Sequence, residues 1–296
     1  MSISIIIVTY NNQNEIKDCI DSIISEIQLI KGEIIIVENN SSDLTKQEIE
    51  TLSKSKKILK TIYNPDNRGY AKANNQGILL VKNEFVLFLN PDTILAEGSI
   101  VDLKKRIEND PKIAAIAPQL VFPNRTIQSS CRRFPNYGFL LSELFGLNIF
   151  FKNSKFFNGW KMGDFNHKTE RIVDQPMGAA LMVKLNILEK LNGFDEKFSM
   201  FFNDVDLCKR IYLMGKNIIF FPLVVIIHKK GASIDKQLNK MILSSQLSFI
   251  KYLFKHFAYF IYYIPNFLST ILLLINLPFR IFIAHIKKWT LSKFLL

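Results

Sequence analysis

The strongest constraint on this chain is a repeated alternation: short apolar runs that end abruptly in polar residues, each followed by a segment with helical spacing. SIIIVTY (Ser4 to Tyr10), EIIIVE (Glu33 to Glu38), KTIYN around Ile62, FVLFL (Phe85 to Leu89) and IAAIAP around Ile116 are the runs. Between them, Ile16, Ile20, Ile23, Ile24 and Ile27 recur at helical spacing. Ile49 with Leu52, Tyr70 to Val81, and Gly98 to Asn109 fill the later gaps. Strands apolar on both faces and separated by helices predict an α/β protein. Its central sheet is expected to be mostly parallel, joined by right-handed crossovers and flanked by helices.

From about Gln119 to Asp174 the rhythm is lost, and the segment reads as an excursion from the core. PMGAALMV (Pro176 to Val183) restores the order, and GFDEKFSMFFNDVDLCKR (Gly193 to Arg210) leads into a helix. NIIFFP and LVVIIH (Leu223 to His228) read as two short strands. The expected organisation is one domain in two halves, 1–118 and 119–246, followed by an apolar basic segment, 247–296.

That last segment contains an uncharged stretch from Phe257 to Phe279. As one continuous helix it would be roughly 34 Å long, enough to cross a bilayer of about 30 Å. Pro265 and Pro278 are expected to interrupt it. Basic residues flank both ends, with Lys251 and Lys255 before and Arg280, Lys287 and Lys288 after, so charge asymmetry selects no orientation for a span. Three readings stand: a segment lying in the cytoplasmic leaflet, a true span, or a buried core or dimer helix.

The net charge of +12 points to an anionic partner. Much of the basic charge brackets the apolar tail and is not interleaved with aromatics along a groove, which argues against nucleic acid. Three widely separated cysteines, Cys19, Cys131 and Cys208, have no metal spacing and are odd in number, which fits a reducing cytosol. The opening MSISIIIVTYNN reads as a strand and lacks the pattern of a secretory signal.

In an open α/β sheet, ligands bind beyond the carboxyl ends of the strands. Thr9, Tyr10, Asn11 and Asn12 follow the first strand. Glu38, Asn39, Asn40, Ser41, Ser42 and Asp43 follow the second, and Asn90, Pro91, Asp92 and Thr93 follow FVLFL. Neither G-x-G-x-x-G nor G-x-x-x-x-G-K is present, so a phosphorylated ligand would need a divalent metal where other folds use a glycine-rich cradle. Asp92 is the hard oxygen ligand suited to Mg²⁺ or Mn²⁺. Pro91 pushes Asn90 into extended backbone, which turns Asn90 and Asp92 toward one point. A turn at the end of a buried strand would use the same residues.

SIIIVTYNN, VENNSSD, NRGYAKANNQG (Asn67 to Gly77), FLNPDT, MGAALMVK and GFDEKFSMFFNDVDLCKR, in this order, resemble glycosyltransferase family 2, in particular its bacterial rhamnosyltransferase-like branch. The resemblance covers about Ser2 to Ser233. It implies a GT-A fold, a nucleotide-diphosphate sugar donor (dTDP-rhamnose first, UDP or GDP sugars also), a divalent metal and inversion at the anomeric carbon. The expected acceptor is a saccharide or lipid-linked saccharide, and the apolar basic tail places the expected reaction at the cytoplasmic face of the membrane. The implied donor contacts are Thr9, Tyr10, Asn11, Glu38, Asn40, Arg68, Gly69, Asn75 and Asn90. Glu38 stands where the family usually has Asp, and Asn90 replaces the first Asp of the metal motif. Asp92 is the implied metal residue; His228 completes the metal or pyrophosphate site by the same resemblance, or is a solvated histidine at a strand end. Asp204 aligns with the catalytic base, in a family segment that usually has Glu where this chain has Asn203, and Asp206 takes either a catalytic or a helix-capping role. Arg132 or Arg133 meets an anionic ligand, and Trp160 with the neighbouring Phe pairs is either packing or an acceptor platform.

Two other classes use such a sheet. A nucleotidyltransferase needs a glycine-rich basic loop after the first strand, which Thr9 to Asn12 does not offer. A non-catalytic sugar-nucleotide or lipid-binding module would be indifferent to Asp204→Asn.

Overall fold

The computed structural model describes residues 2–27, 31–56, 58–229 and 238–293. The end of the family-like region, 230–233, and the side chains of Lys287 and Lys288 lie outside the described residues. The first half runs β1 (Ser2–Thr9), α1 (Ile16–Ile27), β2 (Lys31–Glu38), α2 (Thr45–Ser55), β3 (Leu59–Tyr63), α3 (Tyr70–Ile78), β4 (Phe85–Leu89), β5 (Thr93–Leu95), α4 (Ser99–Glu108) and β6 (Ile113–Val121). The second half adds β7 (Cys131–Arg132), α5 (Tyr137–Leu144), α6 (Leu147–Phe150), β8 (Arg171–Ile172), β9 (Gln175–Pro176), β10 (Ala180–Lys184), α7 (Leu185–Leu191), α8 (Asn203–Leu213) and β11 (Asn217–His228). The tail is α9 (Leu238–His256), a 3₁₀ turn (Phe260–Tyr262) and α10 (Tyr263–Lys293).

The main sheet has the order β3-β2-β1-β4-β10-β6-β11-β5, with β8 also paired to β11. β3, β2, β1 and β4 are mutually parallel, and so are β6 and β11. β10 is antiparallel between β4 and β6, and β5 is antiparallel to β11. The expected mostly parallel sheet flanked by helices is therefore present. Each strand supplies two cores, because successive side chains point to opposite faces. Ile3, Ile5 and Ile7 pack with Ile16, Ile20 and Ile23 of α1, while Ile6 packs with Ala71 of α3 and with Leu207 and Ile211 of α8.

Three expectations are corrected. The two short strands near the end are one strand, β11, whose pairing with β6 shifts register between Phe221 and Val225; a bulge absorbs Pro222 without ending the ladder. The prolines of the tail do not interrupt its helix. Pro265 sits in the first turn of α10, where a missing N–H costs nothing, and the helix continues through Pro278, which is exposed. Residue 118 lies inside β6 and residue 246 inside α9, so the divisions drawn from sequence pass through continuous elements.

A third core joins the tail to the body. Leu140 of α5, Phe198, Phe202 and Val205 around the start of α8, Phe249, Tyr252 and Leu253 of α9, and Leu273 of α10 pack together. Trp160 belongs to this packing, with its ring edge-on to Phe249 at 5.4 Å.

Candidate active site

β5 is too short to stand out in the sequence, yet it assembles the site. It pairs antiparallel with the end of β11, with Thr93 opposite His228. Asp92, one residue before β5, is thereby brought beside His228. Lys229 N–H donates to the Asp92 carbonyl at 2.9 Å, and His228 Nε2 lies 3.4 Å from Asp92 Oδ1.

Gln128 determines the state of that imidazole. Its Nε2 donates to the His228 backbone carbonyl at 2.6 Å, which leaves its Oε1 facing His228 Nδ1 at 3.0 Å. An amide oxygen only accepts, so Nδ1 donates to Gln128 and Nε2 is the ring nitrogen turned toward Asp92. A metal-binding histidine is oriented in this way by a partner on its other nitrogen. The 3.4 Å separation is near the edge of about 3 Å expected of an octahedron with bonds of about 2.1 Å. Among the described residues no group of three or more His, Cys, Asp and Glu side chains is set to hold a metal. Asp92 and His228 are thus a two-residue oxygen and nitrogen set of the kind that fits a Mg²⁺- or Mn²⁺-type ion, which would need further ligands from outside the protein. Glu15, at the start of α1, lies close enough that burial, and after it the charge of Asp92, raises its pKa.

Asp204 approaches from the other side. Its Oδ2 accepts from Gly178 N–H at 3.0 Å and Gln175 Nε2 at 3.1 Å, and its Oδ1 from Val205 N–H at 2.8 Å. Burial raises its pKa despite these donors, which lower it. Gly178 permits this close approach: a Cβ there would stand 3.1 Å from the Asp204 Cβ, a tight contact that would push the carboxylate segment back by a few tenths of an ångström. The next residue, Ala179, accepts from Asn90 N–H at 2.9 Å, so the two acidic segments hang on neighbouring strand ends. Tyr70, whose hydroxyl donates to the Gly178 carbonyl at 3.3 Å, lies between them: burial and then the charges of Asp204 and Asp92 raise its pKa.

The ends of β1 and β2 form the adjoining wall. Asn11, at φ +57°, accepts from Ser42 N–H at 2.8 Å and donates its own N–H to Ser41 Oγ at 3.0 Å. The Thr9 hydroxyl and the Tyr10 N–H both donate to Asn12 Oδ1. Glu38 is buried and accepts from Asn40 N–H at 3.1 Å and Ser41 N–H at 2.7 Å, so it shapes the loop that carries Asn40. Arg68 pairs with Asp66. Gly69, at φ +77°, lets Tyr70 N–H reach the Ser199 carbonyl at 2.6 Å, where a Cβ would come within 2.8 Å of that oxygen.

Two expected site residues face elsewhere. Asn75 clamps α3 to the turn before α8, accepting from Phe194 N–H at 2.8 Å and donating to the Phe194 carbonyl at 2.9 Å. Asp206 is fully buried among Arg210 (2.8 Å), Lys255 (2.6 Å) and His256 (2.8 Å). Burial pushes its pKa up, but the bonds from His256 and Lys255 and the charge of Arg210 outweigh that, and the net direction is down. Arg133 is spent on Asp164 at 2.9 Å, whereas Arg132 lies within the field of Asp204. Gln128, Gln175 and Tyr70 were not singled out from sequence. Gly178, inside the MGAALMVK motif, is the one whose residue type signals a close approach.

The family model for glycosyl transferase family 2 matches residues 4–168, more than half of the chain. The chain belongs to that family, and it is a glycosyltransferase. It is 26% identical over 235 residues to rhamnosyltransferase WbbL of Escherichia coli (strain K12), covering 76% of this chain and 82% of that one. It is 24% identical over 213 residues to the N-acetylglucosaminyl-diphospho-decaprenol L-rhamnosyltransferase of Mycobacterium tuberculosis (strain ATCC 25618 / H37Rv), covering 68% of this chain and 67% of that one. Among solved structures, the mannosyltransferase PcManGT from Pyrobaculum calidifontis, in complex with GDP-Man and Mn²⁺, superposes with a TM-score of 0.60 at 18% identity. The match covers 87% of this chain and 64% of that one. This likeness is one of fold, the GT-A fold.

Proposed function

We propose that this chain is an inverting, metal-dependent transferase in surface-polysaccharide synthesis. It moves one sugar, with rhamnose the first candidate from the relatives' names, from a nucleotide-diphosphate donor to a lipid-linked saccharide at the cytoplasmic membrane face. The observation that carries the reading is the pairing of two acidic groups on neighbouring strand ends: Asp92 with its oriented His228 on one, and Asp204 hung from Gly178 on the other.

Direct displacement at the anomeric carbon needs a base on one side of the sugar and help for the leaving group on the other. Asp204 takes the proton of the attacking acceptor hydroxyl; burial makes it a stronger base than an ordinary carboxylate. Asp92 and His228 would hold the metal, which when bound would offset charge growing on the departing nucleotide diphosphate. The walls from β1 and β2, with Asn11, Glu38 and Asn40, hold the nucleotide. Asn90 and the Arg68–Gly69 turn flank its sugar and phosphates.

The test is to incubate the purified protein with Mn²⁺ and a panel of nucleotide sugars, measuring slow donor hydrolysis and protection against thermal unfolding. A response confined to one donor supports the reading and names the sugar. A folded protein that responds to none refutes it.

A further inference from the structure

α10 has the length and apolarity of a membrane span, with mean hydropathy of 2.0 over Phe260–Ile286. Its contacts are not those of one. Asn266 Oδ1 accepts from the Tyr137 hydroxyl of α5 at 2.7 Å, Gln246 of α9 donates to the Leu273 carbonyl, Arg280 reaches Gln246 Oε1, and His285 Nε2 meets Asn239 Oδ1 of α9 at 2.8 Å. These bonds run along about 28 Å of helix, close to the whole thickness of a bilayer core of about 30 Å. A perpendicular span would drag α9 into hydrocarbon, together with its exposed Asn239, Lys240 and Lys251. One stripe of α10, through Asn266, Ser269 and Leu273, faces the protein, whereas Ile264, Phe267, Ile275 and Phe282 on the rest of its surface are exposed.

The exposed face does not stop at the tail. The turn from α5 into α6 and the loop after it expose Phe145, Ile149, Phe150, Phe151 and Phe156, the last two α6-flanking rings bracketing Lys152 and Lys155. Phe150 is 80% and Phe156 71% exposed, extreme values for rings of this size. The turn and α10 wall one cavity of about 300 Å³, with Phe145, Gly146 and Ile149 on one side and Asn276, Phe279 and Ile283 on the other. The two apolar surfaces are therefore one continuous face. Among the described residues neither Lys152 nor Lys155 has an acidic partner, so both remain for lipid phosphates.

We infer that α10 lies in the plane of an anionic membrane leaflet, and that the aromatic ridge of α6 and its flanks enters the same leaflet as a second anchor. This rests on the membrane half of the proposed function, and it adds an orientation and a second contact that the tail alone does not supply. The occupant is a lipid surface: aromatic rings beside lysines suit the boundary between headgroup and acyl chain.

The three native cysteines are buried, so single introduced cysteines can be labelled selectively. An environment-sensitive fluorophore is placed on the full chain at Phe150→Cys, Ile264→Cys, Ile275→Cys and Phe282→Cys. Depth is then measured by quenching from spin-labelled lipids in phosphatidylglycerol–phosphatidylcholine vesicles. The expected result is one shallow depth for all four positions. Ile275→Cys at the bilayer centre, with Ile264→Cys and Phe282→Cys near opposite surfaces, overturns the in-plane orientation. A label at position 150 that stays in water while α10 is quenched overturns the second anchor. A chain that remains in the supernatant overturns both and assigns the face to a protein partner or a second copy.

As a second arm, Phe150→Ser combined with Phe156→Ser is expected to weaken vesicle binding at least tenfold with unchanged donor hydrolysis in solution. Undiminished vesicle binding by this variant counts against the ridge. Because donor hydrolysis needs no membrane, it reports separately on the transferase reading.

Discussion

At the scale of single residues, the proposed function divides labour between two acids in different surroundings, Asp92 and Asp204. Asp92→Ala is expected to abolish transfer while circular dichroism and the unfolding midpoint change little, since the side chain lies at the rim of the sheet and fills no core. Gln128→Leu isolates the orienting bond: with Nδ1 no longer engaged, His228 is free to rotate or change tautomer. Mn²⁺ affinity, measured calorimetrically, should fall about 10- to 100-fold, and transfer should recover at saturating metal. The proposed base gives a pH signature. Because burial raises the pKa of Asp204, its charged form is lost at a higher pH than for an ordinary carboxylate near about 3.9. The acid limb of kcat/KM should accordingly lie above that value, falling as pH drops through it, and Asp204→Asn should remove transfer at every pH.

At the scale of elements, α8 is held in place by the tail. Phe202, just before it, adopts φ +65°, a left-handed conformation that costs a bulky residue about 1–2 kcal/mol, and its ring is pinned by Phe249 and Tyr252 of α9 at 5.3 and 5.6 Å. Asp206 ties the same two helices through Lys255 and His256. Asp206→Asn strands Arg210 and should destabilise the fold by about 3 kcal/mol in denaturant titrations. Since the folded pKa of Asp206 is depressed, its contribution is complete above the unfolded value of about 3.9 and drains away as pH falls from there through the folded value. Wild-type stability should show that acid dependence, and Asp206→Asn should flatten it. The sequence could not separate this role from catalysis, because two acids two residues apart at a helix start look alike until the partners from residues 255 and 256 are known.

At the scale of the whole molecule, what was legible had short range. The periodicity of Ile5, Ile7, Ile20 and Ile23 fixed the strands and helices of the first half, and the polar strand ends marked one rim of the sheet. Pairings across long separations were hidden: β10 inserted antiparallel between β4 and β6, the three-residue β5, and the approach of Gln128 to His228 from within what read as an excursion. The tail showed its apolarity but not its direction, which depends on bonds such as Tyr137 to Asn266. With a net charge of +12, association with anionic vesicles should weaken as salt is raised from about 0.1 M, where charges are felt over about 10 Å, toward 1 M, where they reach about 3 Å. Flotation at both salt concentrations should show a reduced but persistent bound fraction, since burial of the rings is not screened.

The rigid tie between α8 and α9 also sets a height. Asp204 stands two residues from Asp206, which is bolted to the end of the helix that packs along α10. With Asp204 as the proposed base and α10 in the proposed plane, the base would stand at one elevation above the leaflet and serve hydroxyls at that elevation. An acceptor lengthened by a sugar presents its new end farther from the lipid, out of register with the base. On the proposed function and orientation, this geometry would act as a ruler, favouring a single addition to each lipid-borne chain over repeated extension.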